Sequence, residues 1–204
     1  VYALAPEVPL VAPTASVAPS PVPSSPVPAT DRPSPSAPPS LSPSASPSAS
    51  ASLAASGGLF HIGEAAPPLV VPQVGGGTID LADLKGQPVW VNFMGTYCPP
   101  CQDEFPLMNG FAARYAKDGL VVLAIDVKED EGTVAAFAES LAATFPLGLD
   151  ESGANAEAWD ALVLPIHFWI DRDGIVRDGA LGGIGPDIMA RGVQTILPGV
   201  TVTP

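Results

Sequence analysis

Residues 89–105 read VWVNFMGTYCPPCQDEF, and this stretch decides the fold because it sets a cysteine pair between two elements. The apolar run from Val89 to Phe93 predicts a buried strand, and residues 102–117 have helical periodicity. Cys98 and Cys101 are the only cysteines of the chain. At a helix start this spacing brings the sulfurs close enough to bond and directs free backbone N–H groups at the first one. The sequence therefore predicts a redox-active dithiol.

Two other roles of the cysteine pair compete with redox chemistry. A structural zinc site needs about four ligands, and beyond the pair the chain offers only His61 and His167, which do not form a His-x(3–5)-His motif. An inert disulfide would stabilise little, because the gain grows with loop length and this loop is minimal. Redox chemistry is favoured over both.

Composition divides the chain near residue 56. The first 56 residues contain 14 prolines and 14 serines and almost no aromatic residues, so they cannot build a core. Residues 1–56 are predicted to be a disordered Pro/Ser/Ala-rich linker or stalk, a composition typical of exported proteins. Residues 57–204 have the size of a single domain with a sizeable core.

The charge of the chain is strongly acidic, with a formal net charge of −13 at pH 7. Glu7, Asp31 and Arg32 carry the charges of the first 56 residues, so the predicted domain holds −12 of this total. Nucleic acid is an unsuitable partner, because phosphate binding requires a basic face. The sequence has no run of 18 apolar residues that would span a membrane.

The remaining patterns predict an α/β domain. A small hairpin is expected on either side of the 75–77 glycine turn, and the motif helix should be followed by a buried parallel strand at 120–125. A second helix is expected over about 132–144. Strands at 166–170 and 175–177 should pair through the 171–174 turn before a last helix over 185–196.

Residues 62–197 resemble a known family. The match is densest at residues 81–106, LADLKGQPVWVNFMGTYCPPCQDEFP, and extends to Pro165 and the 171–174 turn. On these motifs the chain resembles the TlpA/ResA-like branch of the thioredoxin superfamily, which are extracytoplasmic thiol-disulfide proteins of bacteria. The resemblance implies a thioredoxin-like fold: a central mixed β-sheet flanked by helices, with an added N-terminal β-hairpin. The family usually has Trp where Met94 stands and often has Trp where Tyr97 stands. The surface beside the cysteines is therefore less aromatic in this chain, and its choice of partner is expected to differ from that of the family.

The cysteines have distinct expected roles. Cys98, at the helix N-terminus, is expected to be the exposed nucleophile, because that position lowers a cysteine pKa from ~8.5 into the range of about 3.5–7.5. Cys101, more buried, would then resolve the mixed disulfide. Pro99 and Pro100 stiffen the loop and suit the first helical positions, which lack partners for their N–H groups.

The resemblance implies further site residues. Glu104 would handle the proton of Cys101, although a carboxylate near a helix start also has a simple electrostatic explanation. Pro165 would be a cis proline facing the cysteines, and the backbone of Leu164 would pair with an extended partner segment. Tyr97 and Met94 would add apolar contacts to that partner.

Four other residues are given structural roles. His167 is expected to be an ordinary strand residue, and Asp126 a turn residue at a strand end. Trp159 and Trp169 are expected to pack in the core.

The predicted function is thiol-disulfide oxidoreductase, with the Cys98–Cys101 pair as the redox group and without a separate cofactor or metal. The resemblance implies disulfide- or dithiol-bearing envelope proteins as partners, apocytochrome c among them, and a membrane or envelope electron donor. It implies an extracytoplasmic location, with the chain either secreted or tethered by an N-terminal anchor outside this sequence.

Two alternative functions within the same fold stay open. A thiol peroxidase has Thr three residues before its reactive cysteine, whereas Cys98 holds that position before Cys101. A Cu(I) chaperone would bind copper through Cys98, Cys101 and His167, and soft thiolates do bind Cu(I). Copper chaperones of this fold usually have three residues between the cysteines, and here there are two.

Overall fold

The computed structural model describes Gly58 and residues 60–204. The predicted stalk, residues 1–56, lies outside the described residues and stays a prediction. In the described part, no helix combines the length and the apolar character needed to cross a membrane. Its strands and helices, in chain order, are β1 (Val70–Pro72), β2 (Thr78–Asp80), β3 (Val89–Met94), α1 (Pro99–Tyr115), β4 (Val121–Val127), α2 (Glu131–Ser140), β5 (Leu147–Asp150), α3 (Ala154–Ala158), β6 (Ile166–Ile170), β7 (Val176–Leu181) and α4 (Pro186–Ile196).

The main sheet has five strands in the order β5-β4-β3-β6-β7. β3, β4 and β5 are parallel, whereas β6 runs antiparallel to β3, and β7 antiparallel to β6. All six residues of β3 are buried, as expected for a strand covered on both faces. β1 and β2 form a separate antiparallel pair. The predicted mixed sheet and added N-terminal hairpin are therefore both present.

Side chains of β3 alternate between two apolar cores. Trp90 and Met94 point to the side covered by α1 and α4, while Val91 and Phe93 point to the side that holds Trp159 and the hairpin. The buried stripe of α1 combines apolar residues with two residues of the motif region, Cys101 and Glu104. Its members are Cys101, Glu104, Phe105, Met108, Phe111 and Tyr115.

The expected order of elements omitted β5 and α3. The predicted second helix was also too long, since α2 ends at Ser140 and Phe145 lies in the following loop. β5 has four residues, including a glycine, so its sequence carries little strand signal. Gly148 is nevertheless required there, because a Cβ at this position would lie 2.5 Å from the Val71 side chain of β1.

Gly192 allows α4 to pack directly on the sheet. A Cβ at Gly192 would overlap the indole ring of Trp169, which is fully buried and therefore unable to move aside. We expect Gly192→Ala to lower the free energy of unfolding by about 1–3 kcal/mol, the usual cost of overpacking a core. Chemical denaturation with urea measures this change.

Gly110→Ala is the matched control, because a Cβ at this α1 position meets nothing within 4 Å. Alanine is the better helix former by roughly 0.8–1.0 kcal/mol, so the control should stabilise the protein. Equal effects of the two substitutions would contradict the close packing of α4 on Trp169.

Candidate active site

The cysteine pair forms a disulfide at the N-terminus of α1. Cys98 is the N-cap residue, and its side chain accepts a hydrogen bond from the backbone N–H of Cys101 at 3.4 Å. Pro99 and Pro100 occupy the first two helical positions and have no N–H groups. The amide of Cys101 is therefore the first helical N–H that the Cys98 sulfur can use.

Burial of the two cysteines differs from the expectation in one respect. Cys98 was predicted to be exposed, but only 7% of its surface is accessible, against 3% for Cys101. The two residues predicted to contact a partner also differ in exposure. Tyr97 is 67% exposed, whereas Met94 is fully buried in the α1-side core. The predicted contact between Met94 and a partner is therefore wrong, because β3 alternation turns this side chain inward.

Cys98 is reached through a surface groove of about 690 Å³. The groove brings together the motif loop, the segment after β4, the region of α3 and the loop before β6. Its lining includes Tyr97, Cys98, Lys128, Gly153, Glu157, Asp160, Leu162 and Leu164. The nucleophile predicted from sequence thus lies on the wall of a groove rather than on an open surface.

The loop before β6 has the predicted cis peptide bond between Leu164 and Pro165. The Pro165 carbonyl accepts a hydrogen bond from the Gly182 N–H at 2.8 Å, which ties this loop to the end of β7. Within residues 60–204 the Leu164 backbone makes no hydrogen bond. Leu162 and Val163, just before it, are exposed apolar residues beside the groove.

Glu104 lies in the core, one helical turn after Cys101 on the buried stripe of α1. Its Oε1 accepts a hydrogen bond from the backbone N–H of Ile184 in the loop before α4. Its Oε2 lies 3.2 Å from Nε2 of His167, a close contact that lacks aligned hydrogen-bond geometry. The structure therefore puts Glu104 on the same buried stripe of α1 as Cys101 and beside a histidine.

His167 was missed as a site residue. It was expected to be an ordinary strand residue, but it is fully buried and both of its ring nitrogens face protein side chains. The alternation of side chains along β6 is the sequence pattern that could have identified His167. It puts His167 and Trp169 on the α1 side of the sheet, opposite Ile166 and Phe168. Among the described residues, no three His, Cys, Asp or Glu side chains form a group that could hold a metal ion.

Asp126 was expected to be a turn residue, but it lies within β4 and is almost fully buried. Neither carboxylate oxygen has a hydrogen-bond partner among the described residues. Burial and, secondarily, the neighbouring Glu129 raise the pKa of Asp126 to about 8. Glu129 in turn accepts hydrogen bonds from the N–H and the Oγ1 of Thr96, both at 2.6 Å, and so holds the loop that leads to Cys98.

A mixed five-stranded sheet with a helix-capping disulfide and a cis proline before β6 defines a thioredoxin-like fold with a cysteine pair at its site. The family model of the AhpC/TSA family matches residues 62–178. The chain belongs to this family.

Individual proteins agree with this class. The chain is 37% identical over 115 residues to "Thiol-disulfide oxidoreductase ResA" of Bacillus thuringiensis subsp. konkukian, covering 56% of this chain and 66% of the relative, just under two thirds of its length. It is 35% identical over 137 residues to the protein of the same name from Bacillus cereus, covering 67% and 79%. A crystal structure of a putative thiol:disulfide interchange protein DsbE from Chlorobium tepidum superposes with a TM-score of 0.63 at 28% identity, covering 67% of this chain and 97% of that one.

Asp126 should make the stability of the protein fall as the pH rises. Its folded pKa of about 8 lies above the ordinary value of 3.8, so the folded state keeps a proton that the unfolded chain releases between these values. The Asp126→Asn variant cannot ionise at this position. Its free energy of unfolding relative to the native protein should therefore be about 5 kcal/mol higher at pH 8 than at pH 4. Urea unfolding across this range measures the difference.

Asp83→Asn is the control, because it makes the same substitution at an exposed carboxylate. If the stability curves of the native protein and Asp126→Asn ran parallel from pH 4 to pH 8, the protonated Asp126 would be refuted.

Proposed function

We propose that this protein reduces disulfide bonds of other proteins by oxidising its own Cys98–Cys101 dithiol. The observation that carries the proposal is the Cys98–Cys101 disulfide at the N-cap of α1, with one sulfur on the wall of a surface groove. The disulfide is the oxidised product of such a reaction. The redox group is the cysteine pair itself.

Cys98 begins the reaction as a thiolate. The N–H of Cys101 and the positive end of α1 stabilise negative charge on its sulfur. The thiolate attacks one sulfur of the partner disulfide, a new S–S bond joins Cys98 to the partner, and the other partner sulfur leaves as a thiolate.

Cys101 completes the reaction. Its thiol loses a proton and attacks the Cys98 sulfur, so the Cys98–Cys101 bond forms while the bond to the partner breaks and the electron pair leaves on the partner sulfur. Glu104 is the base for this proton, because it is buried on the same stripe of α1 and positions three apart on a helix are neighbours.

The partner binds along the groove and the loop before β6. The unpaired backbone of Leu164 can accept an extended segment as an added strand, and the exposed ring of Tyr97 supplies apolar surface on the other side of Cys98. Pro165 has no N–H that would compete for the sulfur. The stiff Pro99-Pro100 turn holds Cys98 at the mouth of this surface.

We place the protein outside the cytoplasm, secreted or held by an N-terminal anchor, where disulfides persist and need specific reductants. The Pro/Ser/Ala-rich composition of residues 1–56 supports this location, as does the family resemblance. The substrates are disulfide-bearing envelope proteins, with apocytochrome c as one candidate. A membrane or envelope dithiol would return the cysteine pair to its reduced form.

The reduction potential decides the direction of electron flow. A titration of the Cys98–Cys101 pair against glutathione or dithiothreitol should give a potential near that of thioredoxin, about −270 mV. A value near −120 mV would instead make the protein an oxidant and overturn the proposal.

Trapping tests the division of roles between the cysteines. The Cys101→Ser variant should accumulate mixed disulfides through Cys98, because the resolving thiol is missing. Non-reducing gel electrophoresis of envelope extracts, followed by mass spectrometry, would identify the partners. Cys98→Ser is the matched control and should trap none. Equal trapping by the two variants would contradict Cys98 as the nucleophile.

A further inference from the structure

A buried group of polar side chains surrounds His167 on the α1 side of the sheet. The indole N–H of Trp90 donates to Nδ1 of His167 at 3.2 Å, and Nδ2 of Asn92 lies 3.2 Å from the same nitrogen. The indole N–H can only donate, so Nδ1 must act as an acceptor. A neutral His167 therefore carries its proton on Nε2, and β3 determines this tautomer.

Nε2 of His167 faces the carboxylate of Glu104 from 3.2 Å. This Oε2 atom and Nε2 have no other polar partner among the described residues, while Oε1 is occupied by the N–H of Ile184. In this oxidised form the imidazole Nε2–H is the side-chain donor that faces Oε2. The contact is not yet aligned in this oxidised form, and hydrogen bonds of catalytic groups often tighten only in reacting complexes.

Glu104, from α1, is the ionisable partner in the contacts of the His167 ring. The partners from β3, from β7 and from its own strand are neutral: Trp90 and Asn92, Ala180, and Trp169. α4, which packs on β6, contributes apolar residues to the same core: Met189, Ala190 and Val193. A substitution of His167 should therefore act on Glu104 rather than on a wider set of charges.

We infer that His167 is the positioning residue for Glu104: its Nε2–H orients the carboxylate so that it can accept the proton of Cys101. The inference rests on the proposed function, in which Glu104 is that base. In the resolving step the Cys101 proton passes to Glu104, the Cys98–Cys101 bond forms, and the partner sulfur leaves as a thiolate. His167 neither gains nor loses a proton in this step.

A single-turnover assay isolates this step. Cys98 attacks the symmetrical disulfide of thionitrobenzoate, so one coloured thionitrobenzoate leaves and the other stays on Cys98 as a mixed disulfide. Cys101 then displaces the second thionitrobenzoate as the Cys98–Cys101 bond forms. The rate of the first release rises with reagent concentration, whereas the second release is intramolecular and does not. Thionitrobenzoate is stable as a thiolate, so the rate of the second release reports the loss of the Cys101 proton, and it is recorded as a function of pH.

The His167→Leu substitution replaces the imidazole by an apolar side chain, which fills the core but has no N–H donor. Colour release should then slow about 10-fold at neutral pH, and the midpoint of its pH profile should rise by about one unit, because a carboxylate that has lost its orienting donor takes the Cys101 proton less readily. His167→Gln restores a neutral N–H donor and should bring the rate and midpoint back toward the native values. A simple loss of folding would not be repaired in this way.

The Glu104→Gln variant distinguishes a failure of the proposed base from a failure of the role given to His167. It should slow the resolving step at least about 10-fold, and adding His167→Leu should slow it no further. If Glu104→Gln had no effect, the proposed base would be wrong. If Glu104→Gln slowed the step but folded His167→Leu kept the native pH profile, the inference about His167 alone would be overturned. A His167→Gln variant as slow as His167→Leu would overturn it as well.

Discussion

The docking of α1 on one face of the sheet is the constraint on which the site depends. One stripe of this helix carries Cys101 and Glu104 into the core, and the same docking leaves Cys98 at the helix cap beside a groove. Apolar residues further along the stripe hold the helix down, since Phe105 and Met108 are almost fully buried. The reactive end of α1 is therefore positioned by hydrophobic burial well away from the sulfurs.

This packing encloses polar groups that an ordinary core would not contain. Burying an ionisable side chain is costly unless it is paired, hydrogen-bonded or neutralised. Glu104 and His167 meet each other, whereas Asp126 has no donor and its pKa is raised to about 8. The carboxyl groups of Glu104 and Asp126 both lie on the side of the sheet that α1 covers. The same few buried residues therefore affect both the stability of the protein and its handling of protons.

Sequence reasoning worked best where a signal was local. The Val89–Met94 strand, the cysteine pair and the Leu164–Pro165 cis bond were all predicted from short motifs or from the family resemblance. Sequence reasoning failed where an element was too short to give a clear pattern, or where the outcome depended on which face of the sheet a side chain occupies. β5 has only four residues, and Met94 was assigned to the partner surface although the alternation of β3 turns it into the core.

The sequence by itself determined which side chains form the disulfide, because a Cys-Pro-Pro-Cys motif at a strand-to-helix junction brings its two sulfurs within bonding distance. It also determined the class of fold through the order of its strands and helices. Only the tertiary structure decided which distant side chain meets Glu104. His167 is 63 positions away along the chain. The pairing of β3 with β6 and the docking of α1 place the two groups 3.2 Å apart. Contacts between separate elements depend on packing in three dimensions, which no local pattern encodes.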